Sequence, residues 1–191
     1  MRETGFRLPG AAVSPPIQDV YRWLAEDSAR NSLIIDDIIR AIESRRSPIV
    51  LTERRDHLEF LAQELSRAVK NVIVLHGRMT EKGRREVSAQ VGSVPRDEER
   101  VVLATGRFAG EGFDDPRLDT LFLVLPVSWK GTLIQYAGRL HRQSPEKTEV
   151  RIYDYVDAGV PLLERMFQKR LRGYRAMGYV ADQVAKDEPM G

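Results

Sequence analysis

The chain has 191 residues, 42% hydrophobic and 30% charged, with a formal net charge of +2; this is the balance of a folded domain with a sizeable core, not of a disordered or strongly basic tail. It holds no cysteine, which excludes disulfides and thiolate metal sites, and His57, His76 and His141 are too scattered for metal-ligand spacing. No apolar run approaches the ~20 residues of a membrane span, and the N-terminus lacks the apolar core of a signal peptide, so a cytoplasmic protein with no membrane partner is expected.

Residues 1–16 read as an irregular linker, because Gly5, Pro9, Gly10, Pro15 and Pro16 break any period. Ser14 before two prolines marks a helix start. Ile17, Val20, Tyr21 and Leu24 recur at helical spacing. A second stripe, Leu33, Ile34, Ile38, Ile39 and Ile42, follows Ser28, so 17–46 is expected to be a helical segment packed on the core. Ile49 to Leu51, Val72 to Leu75, Val101 to Ala104 and Leu121 to Leu125 are short apolar runs, the pattern of parallel strands buried on both faces. Glu149 to Val156 alternates enough to be a last strand.

Helices are expected between these strands. Leu58, Leu61, Ala62 and Leu65 mark one, and a second runs from about Thr80, its candidate N-cap, to Val91. A third carries Gln135, Arg139 and Arg142, and a long basic helix spans Val160 to about Met177. The run Arg165, Lys169, Arg170, Arg172 and Arg175 reads as a solvated face of that last helix. Residues 178–191 carry little periodicity and are expected to fray. Strand–helix alternation across 47–177 predicts an α/β domain, a doubly wound parallel sheet with right-handed crossovers.

Two stretches carry candidate chemistry. Gln135, Arg139 and Arg142 fall at i, i+4 and i+7, one face of a helix, with Leu133, Ala137 and Leu140 roughly opposite to pack down. Two aligned guanidiniums suit a polyphosphate, because each planar fork binds phosphate oxygens two at a time. In an open α/β sheet, ligands bind outside the carboxyl ends of the strands. The second stretch, Gly110-Glu111-Gly112-Phe113-Asp114, has glycines that let a backbone approach a ligand closely; an ordinary turn with a capping aspartate is the alternative.

The run ATGRFAGEGFD, Ala104 to Asp114, resembles motif V of superfamily-2 helicases and translocases. QYAGRLHR, Gln135 to Arg142, resembles their motif VI, Q-x-x-G-R-x-x-R. The order and separation of the two, with one strand and a Pro-Val-Ser-Trp-Lys-Gly link between them, are similar as well. The resemblance covers roughly 47–157 and is to the C-terminal RecA-like domain, so it implies a P-loop-NTPase-type sheet with extra N-terminal helices. It also implies that Arg139 and Arg142 act as fingers on the γ-phosphate of ATP, with Gln135 orienting water or a phosphate oxygen. Gly110, Gly112 and Asp114 would lie near the nucleotide. Thr105, Gly106 and Arg107 would meet the nucleic-acid backbone, as would Thr52 and Arg54, which with Glu53 occupy the motif IV position. His76-Gly77 matches a strand end before a phosphate-facing loop, although a lone histidine is usually structural. Trp129 and Lys130 suit base stacking and phosphate contact, with core packing the rival for the tryptophan.

No G-x-x-x-x-G-K-[ST] occurs: Gly5 and Gly10 are followed by Ala11-Ala12, and Gly173 and Gly178 by Tyr179-Val180. No apolar strand ends in Asp-Glu. The chain thus lacks the parts that cradle the β- and γ-phosphates and hold Mg²⁺. The expectation is half of a split site. ATP and Mg²⁺ would bind only together with an N-terminal RecA-like domain, in the same polypeptide or a partner chain, and this chain alone would bind no cofactor and be inactive. The expected whole is an ATP-dependent helicase or translocase on DNA or RNA, with DNA favoured by analogy. A non-hydrolytic nucleic-acid-binding or interaction module is the alternative. A stand-alone enzyme for a phosphorylated small substrate lacks a complete phosphate loop and a paired acid and base.

Overall fold

The apolar runs are two-sided. Ile49, Leu51, Val102, Ala104, Leu121 and Leu123 pack into one core with Val91, Leu133, Tyr136, Leu140 and Tyr174. Val50, Val101, Leu103, Phe122 and Val124 pack into another with Ile34, Ile38, Leu58, Leu61 and Leu65. Successive strand residues point to opposite faces, so strands covered on both faces need an unbroken apolar run instead of an alternating one. Each fully buried Val or Leu here contributes about 1.5–3 kcal/mol.

The structure, a computed structural model, describes residues 1–10, 15–77, 79–105, 115–127, 133–142, 144 and 147–181. Its elements in chain order are β1 (Arg2–Glu3), α1 (Ile17–Glu26), α2 (Ser28–Glu43), β2 (Pro48–Thr52), α3 (Arg55–Leu65), β3 (Val72–Leu75), α4 (Glu81–Ser93), β4 (Val101–Thr105), β5 (Thr120–Leu123), α5 (Ile134–Leu140), β6 (Arg151–Val156) and α6 (Pro161–Ala176). The strands form one six-stranded sheet in the order β1-β6-β5-β2-β4-β3, every ladder parallel. Helices α2 and α3 cover one face; α4, α5 and the end of α6 cover the other. A third cluster, Phe6, Val20, Leu24, Leu125, Val160 and Leu163, seats α1 against the start of α6. The doubly wound parallel architecture is as expected. Among the described residues no helix is long and apolar enough to cross a membrane.

Several local expectations need correction. Residues 2–3, inside the expected linker, form an edge strand: Arg2 and Glu3 pair with Tyr155 and Val156. Ser28 does start α2, as expected, and the residue before it, Asp27, caps the helix, its carboxylate accepting the Arg30 N–H at 2.7 Å. Thr80 does cap α4, accepting the Gly83 N–H at 3.1 Å. The expected start at Ser14 lies outside the described residues. Arg170, read as part of a solvated face, is 2% exposed. Tyr179, placed in the frayed tail, packs against the core, while 182–191 lie outside the described residues.

Candidate functional site

A parallel sheet puts the carboxyl ends of all its strands on one edge. There Thr52, the last residue of β2, pairs across the ladder with Thr105, the last of β4. Thr105 is half-buried. Thr52 is fully buried, and its hydroxyl, expected at a phosphate, turns inward to His57 Nδ1 at 3.1 Å. The roles in this contact follow from its neighbours. Asn31 Nδ2 donates to the Ala25 carbonyl at 2.8 Å, so Asn31 Oδ1, 3.0 Å from His57 Nε2, is the acceptor and Nε2 carries the proton. His57 Nδ1 then accepts from Thr52, whose oxygen in turn accepts the Arg54 N–H at 3.3 Å. The Thr52 hydroxyl thus fixes the turn into α3. Burial, with the nearby Arg30 charge second, pulls the His57 pKa down to about 3, so the imidazole is neutral at physiological pH.

Arg54, at the start of α3, forks onto Asp56 through Nε to Oδ1 at 3.0 Å and Nη2 to Oδ2. The bonds from Arg54 hold the Asp56 carboxyl below its usual value. The pair is at the surface, so Arg54 can exchange this carboxylate for another anion at modest cost.

Arg30 secures the neighbouring strand tips. It is 2% exposed and donates from Nε to Asp157 Oδ1 at 3.0 Å and from Nη1 to the Val124 carbonyl at 2.6 Å. Thr4 donates to the same carboxylate oxygen. Two successive residues of α2, Arg30 and Asn31, therefore tie down the edges of β5, β6 and, through His57, β2. No periodicity or motif points to this: Arg30 and Asn31 sit in a polar gap of the helical pattern, and His57 reads as a lone histidine.

Helix α5 carries Gln135 and Arg139, with Tyr136, Ala137 and Leu140 buried beneath. Leu133 is buried as expected. The helix is shorter than expected. It ends at Leu140, and Arg142 lies in the turn beyond, its N–H bonded to the Arg139 carbonyl at 3.1 Å. Gln135 and Arg142 are exposed and Arg139 is half-buried. Lys147 closes the helix end, donating from Nζ to the Leu140 and Arg142 carbonyls, each at 2.8 Å; burial draws its ammonium pKa below the usual value. His141 Nε2 lies 2.9 Å from the Tyr179 hydroxyl. Neither Lys147 nor Tyr179 belongs to a periodic stretch, so hydrophobic periodicity marks neither.

Gly138 separates Ala137 from Arg139 on this helix. A Cβ built there meets no described atom within 4 Å, and its φ is not positive. Neither packing nor backbone conformation among the described residues requires glycine, although glycine costs about 1 kcal/mol relative to alanine inside a helix.

Gly106, Arg107, Gly110, Gly112 and Asp114 lie outside the described residues, as do Glu111, Trp129 and Lys130. Asp115, the next described residue, is firmly held. Asp115 accepts Arg100 Nη1 at 2.5 Å and Arg117 Nε at 3.1 Å, while Arg117 also donates to the Val91 and Val94 carbonyls at the end of α4 at 2.6 and 2.9 Å. Burial pushes the Asp115 carboxyl up, but the two guanidiniums together hold it below its usual value. His76 is half-buried just past β3, and its buried Nδ1 has no hydrogen-bond partner among the described residues. Among the described residues no three His, Cys, Asp or Glu groups gather to hold a metal ion.

The profile of the helicase conserved C-terminal domain matches residues 31–144. Transcript termination protein A18 of Yaba monkey tumor virus (strain VR587) is 31% identical over 131 residues, 68% of this chain and 27% of that protein. The chain thus spans about a quarter of this relative's length. The crystal structure of T4 UvsW superposes with a TM-score of 0.68 at 17% identity, covering 90% of this chain and 38% of that one. The Sulfolobus solfataricus SWI2/SNF2 ATPase core in complex with dsDNA superposes at 0.62 and 14% identity, covering 84% and 35%.

Proposed function

The chain belongs to the helicase conserved C-terminal domain family, its fold is the RecA-like sheet of superfamily-2 motors, and on that premise we propose that it is the second half of an ATP-dependent nucleic-acid translocase or helicase. Arg139 and Arg142 would bind the γ-phosphate of an ATP seated against a first RecA-like domain that supplies the phosphate loop and the Mg²⁺ ligands. Gln135 would orient the attacking water or a phosphate oxygen. Gly110, Gly112 and Asp114 would line the nucleotide, and Thr105, Gly106, Arg107 and Arg54 one strand's phosphates. Thr52 enters as the residue that fixes the Arg54 N–H.

The observation that carries this reading is the build of α5. Its inner face is locked by Tyr136, Ala137 and Leu140 and its end by Lys147, while Gln135, Gly138 and Arg142 face outward, with Arg139 half-buried among them. Fixed cations do not reorganise when charge develops on a transferring phosphoryl group, and such groups are worth roughly 10³–10⁵ in rate. The bound nucleotide would supply the phosphoryl group; this chain's part is to bind and orient it and to neutralise its charge. A nucleic-acid track fits the dsDNA complex of the structurally similar archaeal ATPase core, and DNA is the proposed substrate over RNA.

The test is nucleic-acid-stimulated ATP hydrolysis by the longest native polypeptide containing this stretch, wild type against Arg139→Ala. Turnover should fall by at least ~10³ with ATP binding largely kept. Unchanged turnover would replace the motor reading with that of a module that only binds nucleic acid.

A further inference from the structure

Helix α6 leaves the sheet at its carboxyl edge, directly after β6, and runs back across it. Its inner face, Leu163, Phe167, Arg170, Leu171 and Tyr174, is buried. Its outer face carries Arg165, Lys169, Arg172 and Arg175, all exposed and spaced i, i+4, i+7 and i+10, so they form one stripe over about 15 Å of helix axis. Around α3 and on α4, described surface cations are neutralised in place: Arg55 with Glu59, Arg67 with Glu64, Lys82 with Glu86 and Arg85 with Glu81. Among the described residues none of the four cations on α6 has an acidic partner. The only acid on the helix, Glu164, lies at neither the i±3 nor the i±4 position of any of them.

We propose that this stripe is a second phosphate-binding surface, which follows the backbone of the nucleic acid away from the strand-tip contacts. The proposal rests on the reading that this chain engages nucleic acid. Four cations over about 15 Å match the roughly four charges that one DNA strand presents over that length. The tips of β2 and β6 are two strand spacings apart in the sheet, about 10 Å, so one polyanion can span both. A membrane surface is disfavoured because the helix spends its apolar face on its own core. A protein partner is disfavoured because the stripe is interleaved with Gln168 and Ala176 and offers no aromatic or large aliphatic anchor.

The experiment measures binding of the full chain to a fluorescein-labelled DNA duplex of about 30 base pairs, roughly three turns, by anisotropy across a salt series. The variants are wild type, the pairs Arg165→Gln with Lys169→Gln and Arg172→Gln with Arg175→Gln, and all four together. A control replaces the paired cations Lys82 and Arg85 by Gln. The slope of log affinity against log salt should flatten by about 0.9 per lost contact, roughly 3 to 4 for the quadruple variant and half that for each pair, with the control unchanged. If wild type binds with a steep slope that the quadruple variant keeps, the stripe is overturned and the strand-tip contacts stand; an acidic protein would then be the occupant to test. If wild type does not bind the duplex, the nucleic-acid reading fails and the stripe with it.

Discussion

Arg170 of α6 grips Asp154 of β6 two-pronged in the interior, Nε to Oδ2 at 2.6 Å and Nη2 to Oδ1 at 2.8 Å, each side chain 2% exposed. Tyr174 adds a hydroxyl to the same carboxylate at 2.8 Å. Removing one partner leaves a buried charge, so Asp154→Ala or Arg170→Ala should cost about 3–5 kcal/mol, seen as a melting temperature lower by roughly 6–20 °C. Asp154→Leu with Arg170→Met should lose less than either alanine variant. Near-wild-type melting of the single variants would mean the pair contributes nothing.

Gly138→Ala should separate stability from activity. A methyl group meets no described atom within 4 Å, and alanine favours helix by about 1 kcal/mol, so this chain should melt slightly higher. In the longer polypeptide ATP turnover should fall several-fold, because the methyl group intrudes where ligand or partner domain must approach. Equal turnover would argue that nothing comes near this face.

Lys147→Met removes two bonds to the carbonyls at the end of α5. The cost should be about 1–2 kcal/mol and local. Amide exchange should accelerate in 137–142 and stay unchanged in α3, and ATP turnover should drop along with it. Acceleration throughout the sheet would show instead that Lys147 supports the whole fold.

Acid should weaken the fold through His57. Its pKa is about 3 in the folded chain against 6.5 for a free imidazole, so the unfolded state binds more protons between those values. The stability contribution is complete above pH 6.5 and is lost as pH falls towards 3, with a limiting slope of about 1.4 kcal/mol per pH unit. Urea melts from pH 7 to 5 should show the decline in wild type and a flatter curve in His57→Gln. Parallel curves would place the acid sensitivity elsewhere.

Much of this architecture was legible because strands buried on both faces need unbroken apolar runs, and β2 to β5 carry them, broken only by threonines at their ends. β1 was not, since Arg2 and Glu3 carry no apolar signal and join the sheet only because β6 offers a free edge. The stripe on α6 looked uniform in sequence, yet Arg170 alone turns inward, because Asp154 waits on the strand it crosses. The i, i+4, i+7 spacing puts Arg142 on a helix that Lys147 closes two residues earlier, a contact that periodicity cannot register. The places of Gln135 and Arg139 on a helix and of Thr52 and Thr105 at strand ends were legible from motif and period. The clamp of Arg30, Asn31 and His57 behind Thr52 was not, because its members lie on α2 and α3 and meet only after folding.

The pairing of Arg2 with Tyr155 and the bond from Thr4 to Asp157 also set a timetable. These partners are 153 residues apart, so the closing ladder can form only after β6 has been made and has docked on β5. Contacts of such range are slow, because the chain entropy of closure precedes any reward. On the ribosome, the strands from β2 to β5 can assemble while Arg2 and Glu3 still wait, and Arg30 lacks its carboxylate until Asp157 emerges. A chain that stops before residue 157 lacks the carboxylate that Arg30 and Thr4 share, so the tips of β5 and β6 would be left untied even where the inner strands have paired.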